Sequence, residues 1–173
     1  MLEKLLLKHT TKEWNEPMDD ITRETITTFL AQHDTLAIAT EHQGQPYVTR
    51  VFYVEQPIDN NTLKLYGTFI TTSRKLANLR QNPRVGLFIG PSQPTVWLEA
   101  TGQARVISDE SASVKVREKL GRKSAVAAAF IARVPTAAVE LQVNWLRITN
   151  IAASPMQIEV TFALAPAGEE QQR

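Results

Sequence analysis

The hydrophobic period changes twice within one short run, Leu63 to Val85, LKLYGTFITTSRKLANLRQNPRV. Leu63, Leu65, Gly67 and Phe69 fall on one face of an extended segment, and Lys64, Tyr66 and Thr68 on the other. The spacing then turns helical: Leu76, Leu79 and, one turn earlier, Thr72 line one stripe. Asn82-Pro83 ends this helix, expected over 73–82, because a residue before proline avoids the α region. The run therefore reads as strand, basic turn, helix, strand, and continues into RVGLFIG at 84–90.

At the junction of strand and helix stand Thr71, Thr72, Ser73, Arg74 and Lys75. The first N–H groups of a helix lack internal partners and carry the positive end of its dipole, so they attract an anion. Hydroxyl donors and two cations placed there make a phosphate site without a Gly-rich loop. The plainer reading is an ordinary N-cap at Thr72 or Ser73 with solvated cations behind it. A further basic residue bears on the choice. In PYVTRVFYV (46–54), Val48, Arg50, Phe52 and Val54 share one strand face. An arginine in that apolar row calls for a partner, since a buried unpaired charge is costly. A ligand phosphate is one such partner; Glu55 or Glu99 is the other kind.

The rest of the chain fills in around this run. Leu2, Leu5 and Leu6 predict a short helix over 2–14, and Asp20 is placed to cap a stronger helix over 21–33 that covers one end of a barrel. TLAIAT (35–40) and residues 46–54 read as a hairpin with Gly44 at its tip, and QPIDNN (56–61) as the next turn. TVWLEATGQARVI (95–107) alternates along its whole length, and Gly102 in its middle predicts a bend or bulge. Asp109, with Ser108, caps a helix expected to stop at Gly121. A short helix over 124–133 follows, then strands over 138–150 and 156–164 and a frayed tail. Strands on either side of two helical insertions imply an antiparallel barrel with helices packed outside.

Composition removes several function classes. The 173 residues suit one domain with a real core, and Lys+Arg 19 against Asp+Glu 18 implies no polyanionic partner. There is no cysteine, which excludes disulfides and thiol nucleophiles and fits a cytoplasmic protein. No apolar run reaches membrane-spanning length, and the first residues do not read as a secretory signal. His9, His33 and His42 lack metal-ligand spacing, and neither a G-x-S-x-G elbow nor a G-x-x-x-x-G-K run is present. A basic set of Arg74, Lys75, Arg80 and Arg84 with Lys115, Arg117, Lys119, Arg122 and Lys123 lacks interleaved aromatics, so no nucleic-acid partner is expected.

Taken in order, RVFYV, LYGTF, TTSRKLANLRQNPRVGLFI and WLEATGQARVI resemble the flavin-binding split-barrel superfamily typified by pyridoxamine 5′-phosphate oxidase. The resemblance covers residues 24–108 and implies a mainly β fold with α: a six-stranded antiparallel Greek-key split β-barrel with flanking helices. It implies an N-terminal extension over 1–20, an FMN-binding domain over 21–165 and a disordered tail over 166–173. It also implies FMN as cofactor, bound at the interface of a homodimer, for hydride transfer on a small-molecule substrate. By position, Arg50 contacts the FMN phosphate, and Thr72, Ser73, Arg74 and Lys75 complete that site. Val51 and Phe52, with Tyr66, Gly67 and Thr68, lie along the ring, partly through backbone groups. Trp97, Gln103 or Trp145 closes the site from the other subunit. The chain departs from the oxidase itself: Trp97 and Glu99 stand where that enzyme has Gln and Arg, and MQIEVTFALAPAGEEQQR lacks its substrate-gripping C-terminal region. Vitamin B6 oxidation is therefore not expected. A deazaflavin-dependent reductase and a non-enzymatic flavin- or haem-sensing dimer are the alternatives.

Overall fold

The computed structural model describes residues 18–90 and 95–164. The expected helix over 2–14, the extension apart from residues 18–20, and the tail over 166–173 lie outside them. Eleven elements follow in chain order: α1 (Asp20–Ala31), β1 (Thr35–His42), β2 (Gln45–Glu55), β3 (Leu63–Ile70), α2 (Arg74–Gln81), β4 (Arg84–Ile89), β5 (Val96–Val106), α3 (Glu110–Lys123), α4 (Ala125–Ile131), β6 (Thr136–Asn150) and β7 (Gln157–Thr161).

The hairpin β1–β2 is closed by Gln43 and Gly44, both at positive φ (52° and 78°). Two such residues make the tight turn whose twist matches that of the flanking strands. The turn carries the register Thr35↔Phe52 to His42↔Gln45. β3 pairs with β2, and β4 returns by way of α2 to pair with β1, giving the order β3-β2-β1-β4. Three hairpin-linked strands with the fourth beside the first is the Greek key. Pairing of β3 with β6 closes six strands into a barrel, and β7 adds a seventh at the outer edge of β6.

Alternation along the strands divides inside from outside. Leu36, Ile38, Val51, Tyr53, Leu63, Leu65, Phe69, Leu98, Leu141 and Leu146 fill the interior with the α1 residues Ile26, Phe29 and Leu30. Leu76 and Leu79 plug the end beneath α2, as their spacing predicted; Thr72 precedes the helix and is exposed. A smaller cluster lies outside the barrel, where α3 and α4 cover Phe52, Val54, Tyr66 and Ala138.

Several expectations shift. The cap of α1 is Asp19, whose carboxylate accepts from Thr22 N, and Asp20 is the first helical residue. Asp109 caps α3 as expected. That helix does not stop at Gly121 but runs to Lys123, and Ser124 both ends α3 and caps α4. A Cβ at position 121 would sit 3.4 Å from the Ala128 Cβ, so this glycine serves the close approach of two helices. Gly102 marks the expected bulge: β5 and β6 change register between Thr101 and Gly102, opposite Trp145 and Val143.

Candidate functional site

The site begins where the barrel splits. β2 and β3 are paired only through Tyr53↔Gly67, Val54↔Tyr66 and Glu55↔Leu65. On the N-terminal side of Tyr53, β2 stays on β1; past Gly67, β3 stays on β6 as far as Ile70↔Thr136. Backbone direction along β2 follows from three contacts. Tyr53 N donates to Asp34 O, on the β1 side, whereas Gln56 N donates to Lys64 O, on the β3 side. The Phe52 carbonyl would lie 3.0 Å from a Cβ on Gly67. Alternate residues therefore point their N–H and C=O toward β3, and Arg50 belongs to that set. Its backbone faces the split, beyond the last paired residue.

The first turn of α2 spans the same gap. Arg74 Cζ lies 5.2 Å from the centroid of Tyr47, a β2 ring. Lys75 Nζ lies 5.6 Å from the centroid of Phe69, a β3 ring. The body of the helix is tied to β1 by Asn78 Nδ2 donating 3.0 Å to Thr40 Oγ1, and Asn82 donates to Glu41. Its N-terminal N–H groups thus open where β2 and β3 part. Burial pulls the Lys75 ammonium below the usual lysine range. The Glu41 carboxyl is held low by the Gly44 N–H and the Asn82 amide, at the far end of this helix.

Two buried hydroxyls of this region, Thr68 Oγ1 and Ser73 Oγ, have no hydrogen-bond partner among the described residues. Ser73 is the N-cap of α2 by backbone geometry, yet its side chain makes no capping bond. The ordinary-cap reading of this serine therefore fails. Arg50, Arg74 and Lys75 form no ion pair with a described residue, and the two acids considered for Arg50 are engaged elsewhere. Glu55 is bound by Lys123, and Glu99 by Arg147. The expectation that Arg50 sits in a buried row is corrected: Arg50 is exposed and Val48 is 65% exposed, because α3 and α4 cover that face only from Phe52 onward. Cations with no ion pair among the described residues, two hydroxyls with no partner there and a helix N-terminus are the donor types that a small polyanion takes. A phosphate monoester fits this donor set.

The ring-side residues fall on two faces. Phe52, Tyr66 and Thr68 share the outer face of their strands with Arg50. Val51 and Gly67 face the interior. A Cβ at Gly67 would lie 3.0 Å from the Phe52 carbonyl oxygen and 3.3 Å from the Phe69 ring, so packing within the barrel already calls for a glycine here. Tyr66 Oη donates to Gln56 Oε1 at 2.9 Å and lies 3.3 Å from Glu140 Oε2. Glu140 is buried and also accepts from Arg105. Sequence reasoning missed Tyr47, which sits on the opposite strand face from Arg50 and joins the site only through α2.

The registers also map the outer face of the open sheet. Directly opposed residues point the same way. One row runs Arg50, Ala37, Phe88, Glu99, Arg147 and Glu159; the next runs Val48, Ala39, Gly86, Thr101, Trp145 and Thr161. Trp97 is on this face one row away, half-buried, and Gln103 is exposed beside Arg84. Trp145 is not a core residue: its Nε1 donates 2.7 Å to Glu159. Among the described residues no cluster of His, Asp or Glu has metal-binding geometry, and no helix is long and apolar enough to cross a membrane.

Comparison with known proteins agrees with this architecture. A search of curated proteins finds no match. Among solved structures, a Clostridium acetobutylicum protein related to general stress protein 26, of the pyridoxinephosphate oxidase family, is similar at TM-score 0.65 and 12% identity, over 83% of this chain and 96% of that one. An FAD-binding protein from Mesorhizobium loti is similar at TM-score 0.55 and 18% identity, over 72% and 89% of the two chains. A heme-binding protein from Mycobacterium smegmatis is similar at TM-score 0.61 and 18% identity, over 80% and 57%. At these identities the likeness concerns the fold. The family model described as Pyridoxamine 5′-phosphate oxidase matches residues 22–152, and on that match the chain belongs to the pyridoxamine 5′-phosphate oxidase family.

Proposed function

We propose that the protein binds FMN at the β2–β3 split and acts as a flavin-dependent oxidoreductase on a small substrate. The observation that carries this reading is a pair of buried hydroxyls with no partner among the described residues, Ser73 Oγ at the start of α2 and Thr68 Oγ1 on β3, in a region whose cations Arg50, Arg74 and Lys75 form no ion pair with a described residue. Arg50 from β2 and Arg74 and Lys75 from α2 hold the phosphate, with the Ser73 hydroxyl as a further donor. Phe52 and Thr68 border the ring, and the free backbone edge at Arg50 offers it hydrogen bonds. The isoalloxazine, when bound, supplies the hydride chemistry, which accounts for the scarcity of catalytic side chains.

The functional form is a homodimer. Ala37, Ala39 and Gly86 make a shallow strip on the open sheet face, flanked by Val48 at 65% and Phe88 at 43% exposure. Such an apolar face next to a binding site is what a second copy covers. Arg50 stands at its edge, so the partner's copy of this face would complete the cofactor site. Light scattering checks this; a monomer at micromolar concentration would remove the dimer.

The test of the cofactor is titration of FMN into the purified protein, followed by quenching of flavin fluorescence. A charge-assisted hydrogen bond contributes about 1.5–3 kcal/mol, so Arg50→Ala and Lys75→Ala should each weaken FMN by roughly 10- to 150-fold. Refusal of FMN, with either a Soret band on haem addition or tight binding of a deazaflavin, would overturn the FMN assignment.

A further inference from the structure

α3 and α4 form a helical hairpin laid over the outer face of β2, β3 and β6, and its limit on β2 is sharp. Phe52 and Val54 are packed beneath it, whereas Arg50 and Val48, the preceding residues on that face, are open. At the limit stands one aromatic pair: Phe130 of α4 meets Phe52 with ring centroids 6.0 Å apart and planes tilted by 49°. Both rings are half-buried. Val126, one turn earlier on the same side of α4, is 67% exposed. The remaining residues of the helix up to Phe130 are alanines.

The hairpin is held at its elbow by polar contacts. Lys123 Nζ donates to Leu30 O at 3.0 Å and to Glu55, and lies 4.1 Å from the centroid of the Tyr53 ring. Ser124 Oγ donates 2.7 Å to Asp34 Oδ2. The elbow is thereby fixed to β2 and to the end of α1, which sets where Phe130 stands relative to Arg50.

We infer that Phe130, with Phe52 and Val126, is the substrate-selecting wall of the cofactor site, and that it takes planar, uncharged aromatic or quinoid molecules. The inference rests on the FMN reading for the identity of the neighbouring ligand. Its own support is the continuity of the wall with the anion site: a molecule anchored at Arg50 has this aromatic edge as its neighbour two residues along β2. Aromatic surfaces favour offset or edge contact with another planar ring. The wall carries no carboxylate or ammonium, so it gives charged substrates no compensation for lost water.

Menadione, a planar uncharged quinone, is the probe, titrated calorimetrically into the full-length protein with and without added FMN. Phe130→Ala should weaken menadione about tenfold while changing the FMN dissociation constant by less than about twofold. Phe130→Tyr, which keeps the ring, should retain menadione affinity. Val126→Glu alters an exposed position without disturbing folding, and should weaken menadione as well. Unchanged menadione binding in Phe130→Ala and Val126→Glu, or equal weakening of menadione and FMN, overturns the proposal. If the protein rejects FMN but its menadione binding still depends on Phe130, the flavin reading falls and the wall stands. If FMN binds and menadione does not, the wall falls and the flavin reading stands.

Discussion

Replacing Gly102 with alanine tests whether the bulge between β5 and β6 is what curls the sheet closed. A Cβ built at this position lies 2.3 Å from the Gln142 carbonyl oxygen and 3.1 Å from its carbon. A relaxed carbon–oxygen contact is about 3.3–3.6 Å, so the overlap is roughly 1 Å and the obstacle is backbone. It cannot rotate away as a side chain would. Relief requires β5 to move off β6, which strains the longest ladder in the barrel and loosens one or two of its hydrogen bonds. Each is worth about 0.5–1.5 kcal/mol, and over-packing in general costs about 1–3 kcal/mol. We expect Gly102→Ala to destabilise by about 2–3 kcal/mol. In a domain of this size that lowers Tm by roughly 5–10 °C, at about 2–4 °C per kcal/mol. Gly86→Ala is the control for the fold of the protomer, because within one chain its added Cβ meets only the Ala39 Cβ at an ordinary 3.6 Å; in protein dilute enough to be monomeric its change should stay within about 0.5 kcal/mol. Chemical denaturation of both variants, monitored by the tryptophans of β5 and β6, reads the difference. Equal stability of the two variants would refute the reasoning, since the clash would then be absorbed without disturbing the ladder.

Three further outcomes follow from the same structure. Ser73→Ala should leave stability within about 0.5 kcal/mol, because that hydroxyl caps nothing, whereas Ser124→Ala should cost about 1–2 kcal/mol through its bonds to Ala127 N and Asp34; urea melts of the pair decide it. Lys123→Met leaves Glu55, whose side chain is 19% exposed, without its cation and should destabilise by about 2–3 kcal/mol, with Lys123→Met/Glu55→Gln recovering part of the loss in a double-mutant cycle. Lys75 has its folded pKa lowered by burial, so its charged form is penalised at neutral pH and relieved as pH rises toward the usual lysine value, where the unfolded chain binds more protons. Ligand-free protein should therefore gain stability relative to Lys75→Met on the alkaline side, while FMN affinity falls over that same window; thermal melts and FMN titrations from about pH 8 up to 10.5, the ordinary lysine value, check both.

Elements whose residues report their own surroundings were legible in the sequence. The period-two alternation of β5, the proline after α2 and the glycine at the bulge each name a local backbone state, and each is found where the residues put it. The misplaced boundaries have a common cause. Asp19 and Asp20 are chemically equivalent caps, and only the backbone at Asp19 (φ −65°, ψ 154°) decides between them. Gly121 looks like a helix stop because glycine favours that position, but α4 folds back against it, and a contact with Ala128 cannot be read from spacing. The seventh strand likewise extends the sheet beyond the closed barrel only because β6 runs long enough, Thr136–Asn150, to pair on both of its edges.

At the candidate site, the sequence placed Arg50 and Gly67 on the correct strand faces and misjudged the burial of Arg50. Alternation puts Arg50 and Phe52 on one side of β2, yet nothing in PYVTRVFYV says that the α3–α4 hairpin stops between them. An arginine among valines therefore reads as buried when it stands at the open end of a covered face. Gly67 reads as a close approach for a ligand because it has no side chain; the fold adds a packing reason of its own, since a Cβ there would point inward, toward Phe69. What the fold adds is a count of unmet bonds. Hydroxyls such as Thr68 and Ser73 are common in strands and caps, and become informative only once burial has removed water and the helix has failed to use the cap. Among the described residues those groups stay unsatisfied and Arg50, Arg74 and Lys75 form no ion pair, while Glu55, Glu99 and Glu140 are matched to other cations, which is the distribution of charge that the proposed anion site requires.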